Sequence, residues 1–399
     1  MRRLYLLIKN NYWASLNRKI NRIGLSAVEE VSRISKRGRY INLAGGSPDR
    51  RYYPKDDILE LYKEVINEFG MNSLGYPGAG GSGELRQAIN EWLNEIGVKA
   101  GNIIVTSGAQ HAIKLLAELL LNEDNQFCTE NPTFIETFYP LKFSSEWYFA
   151  INMDEQGMIV QELEQKLRRG FKPKLVYIIP TCHNPTGITM ISERRKFLAE
   201  LAEEHDFYVL EDDPYRPIAQ KVPEPVFNYN SDRLIYIGSF SKILVPGLRI
   251  GFIVTKREEI SNKLEILEQM DFSTSTINQL VIAKAIKKGL LRERNKTLPK
   301  VYENKMKILI DTLRDNGVYD FIEPSCGFYL LLRVKGKDSK VIMRRLMEKG
   351  VLVVPAKQFF VGGGGEDTLR VSIGPSSEED IKEGGKILAK TIKEIVEQP

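Results

Sequence analysis

The chain has 399 residues, 42% of them hydrophobic and 27% charged, a balance that excludes wholesale disorder. Its length suits two domains better than one minimal core or three. A net charge of +5, with both signs interspersed, calls for neither nucleic acid nor an anionic membrane as partner.

At the N-terminus, Leu4-Tyr5-Leu6-Leu7-Ile8 follows Arg2-Arg3 and is too short for a signal segment or a membrane span. No later run is long enough either, so a cytoplasmic protein is expected. Gly78-Ala79-Gly80-Gly81-Ser82-Gly83 has the glycine spacing of a dinucleotide loop. The preceding Leu74-Gly75-Tyr76-Pro77 reads as a loop and not a strand, so these glycines shape the approach to a helix over 84–94.

From about residue 100, short β-rich runs alternate with helical stretches. Ile103-Ile104-Val105-Thr106 precedes a helix over 109–121, and Leu175-Val176-Tyr177-Ile178-Ile179 precedes a turn and a helix over 192–205. Phe207-Tyr208-Val209-Leu210, Leu234-Ile235-Tyr236-Ile237 and Gly251-Phe252-Ile253-Val254 are three more strands. Near-continuous apolar strands separated by helices need cover on both faces, which predicts a mostly parallel α/β domain. Beyond about residue 285 a basic helical stretch over 287–315 leads to strands near 328–334, 351–354 and 369–373, a smaller α+β domain. The basic charges recur around that helix among Glu and Asp, as on a solvated face.

Cys128, Cys182 and Cys326 are scattered and form no C-x-x-C pair. Neither a disulfide framework nor a thiolate zinc site is readable, which fits a reducing compartment. His111, His183 and His205 lack the H-E-x-x-H spacing, and no metal site is expected.

The chemistry gathers where polar residues follow strand ends. Asn184 in His183-Asn184-Pro185-Thr186-Gly187, Asp212 in Glu211-Asp212-Asp213-Pro214-Tyr215 and Lys242 in Ser239-Phe240-Ser241-Lys242 recur at about one βαβ step. Parallel strands therefore bring an amide, a carboxylate and an amine to one carboxyl edge, where open α/β folds bind ligands. Pyridoxal phosphate needs that set: an amine for an imine link, a carboxylate to keep the pyridine nitrogen protonated, and donors for its phenolic oxygen. Lys242 takes the first role and then moves the substrate proton, Asp212 the second, and Asn184 with Tyr215 the third. The ordinary lysine pKa of about 10.4 must be lowered here by a neighbouring cation and partial desolvation. Thr106-Ser107-Gly108-Ala109-Gln110 joins a strand to a helix and offers backbone N–H groups, notably at Ala109 and Gln110, to the phosphate. Ser239 adds a hydroxyl and Arg249 a bidentate cation, with Pro246-Gly247 curling the chain between them. Ser239-Phe240-Ser241-Lys242 lacks the glycines of a P-loop, so a nucleotide hydrolase is not expected.

In these motifs the chain resembles fold-type-I pyridoxal-phosphate enzymes of the class I/II aminotransferase family. Within that family it is similar to the branch of 2-aminoadipate and kynurenine aminotransferases and the aminotransferase-like domains of bacterial regulators. The likeness runs from Asn42-Leu43-Ala44-Gly45-Gly46-Ser47-Pro48 to Leu369-Arg370-Val371-Ser372. Its most specific parts are Asn184-Pro185-Thr186-Gly187 and Ser239-Phe240-Ser241-Lys242 followed by Pro246-Gly247-Leu248-Arg249-Ile250-Gly251.

The resemblance implies an α/β fold in three parts: an N-terminal arm over 1–45 packing on the small domain, a large cofactor-binding domain over 46–295 with a mostly parallel seven-stranded sheet between helices, and a small α+β domain over 296–399. Phe134 matches the aromatic that stacks on the cofactor ring, and Arg370 the arginine that pairs with the substrate α-carboxylate. Gly46 matches a segment that closes over substrate. Tyr76 matches a tyrosine that reaches the phosphate in the partner subunit, implying a homodimer with shared sites. The implied activity moves an amino group from an L-amino acid (aromatic, branched-chain or 2-aminoadipate-like) to a 2-oxo acid such as 2-oxoglutarate.

Departures from the pattern are visible. Ala109 stands where many relatives have serine, leaving a backbone contact only. Ala356 replaces a usual glycine, and Gly362 to Gly365 form an unusual loop tip. Glu29, in Ser26-Ala27-Val28-Glu29-Glu30, stands where some relatives that accept dicarboxylic amino acids carry arginine, which counts against copying the aminoadipate preference. Two rival readings stand beside the transferase. One is a lyase or decarboxylase on the same scaffold; the other is an effector-sensing domain of a regulator. The roughly forty residues before Gly45-Gly46 are too few for a winged-helix module, which counts against the second.

Overall fold

The computed structural model describes residues 17–397, so the apolar run Leu4 to Ile8 lies outside the described residues. The main sheet has the order β2-β9-β8-β7-β6-β3-β4-β5. Its strands are β2 (Asn102–Thr106), β3 (Gln126–Asn131), β4 (Trp147–Asp154), β5 (Gly157–Met158), β6 (Pro173–Ile178), β7 (Tyr208–Asp212), β8 (Leu234–Ser239) and β9 (Gly251–Thr255). Strands β4, β3, β6, β7 and β8 are parallel neighbours. β9 runs antiparallel to both β8 and β2. The sheet thus has eight strands, not seven. The additional one is the two-residue β5, which folds back antiparallel on β4 after the turn at Glu155-Gln156.

Alternation along each strand explains the continuous apolar runs. Val176, Ile178, Val209 and Val254 enter one hydrophobic cluster, together with Leu198 and Ala202 of the helix Ser192–Glu204. Leu175, Tyr177, Leu210 and Ile253 enter a second, together with Ala112, Ile113 and Leu116 of the helix Ala109–Leu120. A strand buried on both faces has no polar side to show, so its sequence reads apolar throughout.

A second, three-stranded antiparallel sheet has the order β10-β13-β12, formed by β10 (Tyr329–Arg333), β12 (Val354–Pro355) and β13 (Thr368–Ser372). The short strand β1 (Ile41–Asn42) pairs in parallel with β11 (Val351–Leu352). The N-terminal helix Ala27–Ser35 is capped by Ser26 and buries Ala27 and Val31 in the cluster that holds Leu352 and Val354. The expected basic helix over 287–315 is the helix Leu290–Asp315; Lys287 ends the preceding helix Thr276–Lys287, and Gly289, whose φ of 77° is open to glycine, separates the two. The longer helix runs through the boundary set at 295. Among the described residues no helix is long and apolar enough to cross a membrane.

The scattered cysteines require a correction. Cys182 and Cys326 form a disulfide across 144 residues of sequence, and only Cys128 is free. The inference of a reducing compartment from unpaired cysteines therefore falls.

Candidate active site

Adjacent parallel strands deliver the expected residues to one edge. Asp212 ends β7 and Ser239 ends β8, while Asn184 and Lys242 lie on the loops after β6 and β8. All four line one cavity of about 1030 Å³, together with Gly46, Ala109, Gln110, Phe134, Tyr215, Arg249 and Arg370.

Lys242 Nζ donates to the Gly46 carbonyl at 2.8 Å and lies 5.5 Å from the centre of the Tyr215 ring. Burial lowers its pKa to about 8; Asp212 opposes the shift, and the cations of Arg370 and Arg249 add to it. Asp212 is buried, and its Oδ2 accepts from Tyr177 Oη at 2.7 Å. Burial raises its pKa to about 7 against that hydrogen bond and the attraction of Lys242. Its Oδ1 has no partner. A buried acceptor left unpaired costs about 1–3 kcal/mol, and a cationic N–H placed there removes the cost.

Another part of the cavity wall is an anion cradle. The helix Ala109–Leu120 starts after Gly108 with no side-chain cap, so its first N–H groups and positive dipole end remain available. Gly108 has a φ of +86°, and a Cβ there would stand 2.8 Å from Arg249 Nη2. Arg249, itself left-handed at φ 55°, donates from Nη2 to the Ser107 carbonyl at 3.1 Å. Ser239 Oγ accepts from the Ser241 N–H at 3.2 Å.

The third group is a buried guanidinium. Arg370, on β13, donates to Asn184 Oδ1 at 3.1 Å and to the Ala44 carbonyl at 2.8 Å. Its Nε is buried without a partner. The guanidinium lies 4.6 Å from the Tyr329 ring, and Tyr215 Oη donates to Tyr329 Oη at 3.2 Å. Phe134 precedes the helix Ile135–Ser144 and faces the same cavity.

Tyr76 is not brought to this cavity. It is 85% exposed and packs on Phe272, with ring centres 5.7 Å apart. Glu29 lies on the cavity wall, where its Oε1 accepts from Arg33 Nε at 2.9 Å. The Gly78 to Gly83 run precedes the helix Gly83–Glu95 with no strand before it. A Cβ at Gly81 would meet Val105 at 2.5 Å, so this glycine serves packing against β2.

Several residues escaped the sequence reading. Tyr177 sits inside an apolar strand, and only the strand pairing shows that it supports Asp212. His183 is buried with Nε2 3.1 Å from Glu130 Oε2, which accepts the Ile179 N–H at 2.8 Å, while His183 Nδ1 lies 2.9 Å from Thr186 Oγ1 across the loop that carries Asn184. Asp213, beside Asp212 in the same motif, is a buried partner of Arg216 at 2.5 Å.

The residues fit pyridoxal phosphate: an amine of lowered pKa, a buried carboxylate with a free oxygen, an uncapped helix beside an arginine, and a second arginine for a carboxylate. Fold and site together define a pyridoxal-phosphate-dependent enzyme.

The family "Aminotransferase class I and II" matches residues 40–385. The chain is 34% identical over 387 residues to aromatic-amino-acid aminotransferase 1 of Thermococcus litoralis, with 92% of each chain covered. The kynurenine aminotransferase of Pyrococcus horikoshii, solved in complex with PMP, superposes with a TM-score of 0.92 at 32% identity, covering 98% of this chain and 100% of that one. LysN, the α-aminoadipate aminotransferase of Thermus thermophilus, solved with N-(5'-phosphopyridoxyl)-L-leucine, gives 0.89 at 28% identity, covering 96% and 99%. The chain belongs to the class I and II aminotransferases, and it is a pyridoxal-phosphate-dependent aminotransferase.

Proposed function

We propose that the protein moves the amino group of an aromatic, branched-chain or 2-aminoadipate-like L-amino acid to a 2-oxo acid such as 2-oxoglutarate. The observation that carries this reading is that Lys242 and Arg370 open on one cavity above the buried carboxylate of Asp212. The names of the relatives supply the range of substrates.

Pyridoxal phosphate, when bound, supplies an electron-withdrawing ring that acidifies the substrate Cα–H. Asp212 keeps the proton on the ring nitrogen through its free Oδ1. With the cofactor in place, Asn184 and Tyr215, the latter by turning its hydroxyl proton from Tyr329, would donate to the phenolic oxygen, Phe134 would stack on the ring, and the backbone at Ala109 and Gln110 with Ser239 and Arg249 would hold the phosphate. Arg370 and Asn184 grip the α-carboxylate, with Gly46 in the segment over it. The Lys242 amine would then be the group that takes the proton from Cα and returns it at C4′. Tyr76, exposed and away from this cavity, serves the phosphate of a partner subunit in a homodimer. The large domain over 46–295 carries the cofactor, with the described parts of the 1–45 arm (from residue 17) and of the 296–399 small domain (to residue 397) closing the site. We place the reaction in the cytoplasm on the metabolic class of its substrates, no longer on the cysteine count.

The test is sequential. Holoenzyme given one amino acid alone loses its lysine-linked visible absorbance, and a 2-oxo acid added afterwards restores it. Release of ammonia with pyruvate, or of carbon dioxide, without that restoration favours the lyase or decarboxylase. Glu29→Arg tests the side-chain pocket. It removes the pair with Arg33 and places a cation on the cavity wall. The kcat/KM ratio of glutamate or 2-aminoadipate to a neutral donor is expected to rise about three- to tenfold. An unchanged ratio removes Glu29 from selectivity.

A further inference from the structure

The disulfide joins two segments that both touch the active site. Cys182 lies on the loop after β6, two residues before Asn184, whose Oδ1 accepts from Arg370. Cys326 lies just before β10, three residues from Tyr329, which stacks under Arg370 and accepts from Tyr215. The bond therefore ties the main sheet's loop to the small sheet at the place where the two halves of the carboxylate site meet.

The two sulfurs differ in access. Cys182 is fully buried, whereas Cys326 is half-buried and follows the exposed Ser325. Of the two, Cys326 is the residue nearer to solvent and the side from which an incoming thiolate would approach.

Hydrogen bonds cross the seam beside the disulfide. The N–H groups of Ser325 and Cys326 both donate to the Gly187 carbonyl, at 2.8 and 3.3 Å. Thr189 N–H donates to Ser325 Oγ at 3.2 Å, and Cys182 N–H to Thr189 Oγ1 at 3.1 Å. Glycine permits this approach at Gly327, where φ is +81° and a Cβ would stand 2.7 Å from that of Cys182. The Cα atoms stand 4.9 Å apart in the bonded pair, so the two thiols left by reduction are tethered near each other by these hydrogen bonds and can pair again.

We propose that Cys182–Cys326 is a thiol–disulfide exchange site for a dithiol reductant, and that its state sets how tightly Asn184 and Arg370 hold the substrate carboxylate. The proposal rests on the reading of Arg370 as the carboxylate partner. One thiolate of the dithiol attacks Cys326 Sγ, and Cys182 Sγ leaves with the bond electrons and takes up a proton. The second thiolate of the reductant attacks its own sulfur in the mixed disulfide and expels Cys326 Sγ, which is protonated in turn. Two electrons pass to the cystine, and the reductant ends as a cyclic disulfide. Cys182 and Cys326 act as positioning residues, because neither touches the reacting atoms.

The experiment compares holoenzyme before and after dithiothreitol, and again after reoxidation by diamide. Thiols counted in denaturant are expected to rise from one, Cys128, to three. Reduction is expected to raise KM for the amino acid and for the 2-oxo acid together, about three- to tenfold, with kcat within twofold. Both substrates carry the carboxylate that Arg370 holds, so a shared rise points to that group. Reoxidation restores both values, and Cys326→Ser shows the high KM with no response to dithiol. Three thiols without reductant, or a lowered melting temperature with both KM values unchanged, overturns the proposal. The reversible treatment of the natural chain keeps the test sound if the variant fails to fold. Failure of the half-reaction in both redox states overturns the proposed function instead.

Discussion

Lys242→Ala is expected to abolish the visible absorbance of lysine-linked cofactor and to lower amino transfer by about 10⁴-fold or more. The amine serves twice, as the covalent anchor and as the proton carrier between Cα and C4′. No neighbouring amine can substitute: around Nζ stand the Gly46 carbonyl, the rings of Tyr215 and Phe328, and the charges of Arg370, Arg249, Asp212 and Glu136, none of which can form the imine link. With a pKa of about 8, roughly a tenth of the amines are neutral at pH 7, against about three in ten thousand at the ordinary value of 10.5. Cofactor uptake by the apo protein should therefore accelerate with pH up to about 8 and level off above it. A rate that keeps climbing to pH 10 would mean an ordinary amine. Burial holds the folded pKa below the unfolded one, so below pH 8 the charged amine destabilises the fold. The apo variant should then melt at or above the natural apo protein at pH 7, which separates a lost amine from a lost fold. A variant that keeps its absorbance would mean that another lysine is the anchor.

What the sequence could reveal follows from what each residue does. β6, β7, β8 and β9 were legible because burial on both faces leaves no polar side. β3 was not, since Thr129 and Glu130 interrupt it; Glu130 is buried there to receive the Ile179 N–H and face His183. β4 was missed for another reason: Trp147 is exposed and the strand lies toward the sheet's edge. Asn184, Asp212 and Lys242 announced themselves by falling after strand ends at one βαβ interval. Arg370 carries no such signal, because it lies mid-strand in a different sheet, and only the family resemblance singled it out. The Gly46 carbonyl that receives Lys242 is a backbone group with no signature of its own. The Cys182–Cys326 pair was hidden by its separation, since 144 residues of chain say nothing about a Cα distance of 4.9 Å.

Asp212→Asn is expected to lower kcat by about 10³-fold while leaving KM for the amino acid within a few-fold, because Arg370 and Asn184 are untouched. The substitution is nearly isosteric, and the amide oxygen can still accept from Tyr177 as Oδ2 does. The difference lies at the position of Oδ1, the buried oxygen without a partner. There an amide presents a donor to the ring nitrogen, which then loses its proton, and the ring stops drawing electrons from Cα. A second readout concerns the apo protein. Burial raises the folded pKa of Asp212 from 3.8 to about 7, so between about pH 4 and 7 the folded chain binds a proton that the unfolded chain has released. This group's contribution to stability therefore falls as pH rises through that window, and Asp212→Asn should flatten that part of the melting-temperature profile. Bound cofactor acts the other way, since a cationic ring nitrogen favours the carboxylate; the natural holoenzyme should lose less stability over the same window than its apo form. An Asn variant with full kcat would show that the proton on the ring nitrogen is held by something other than Asp212.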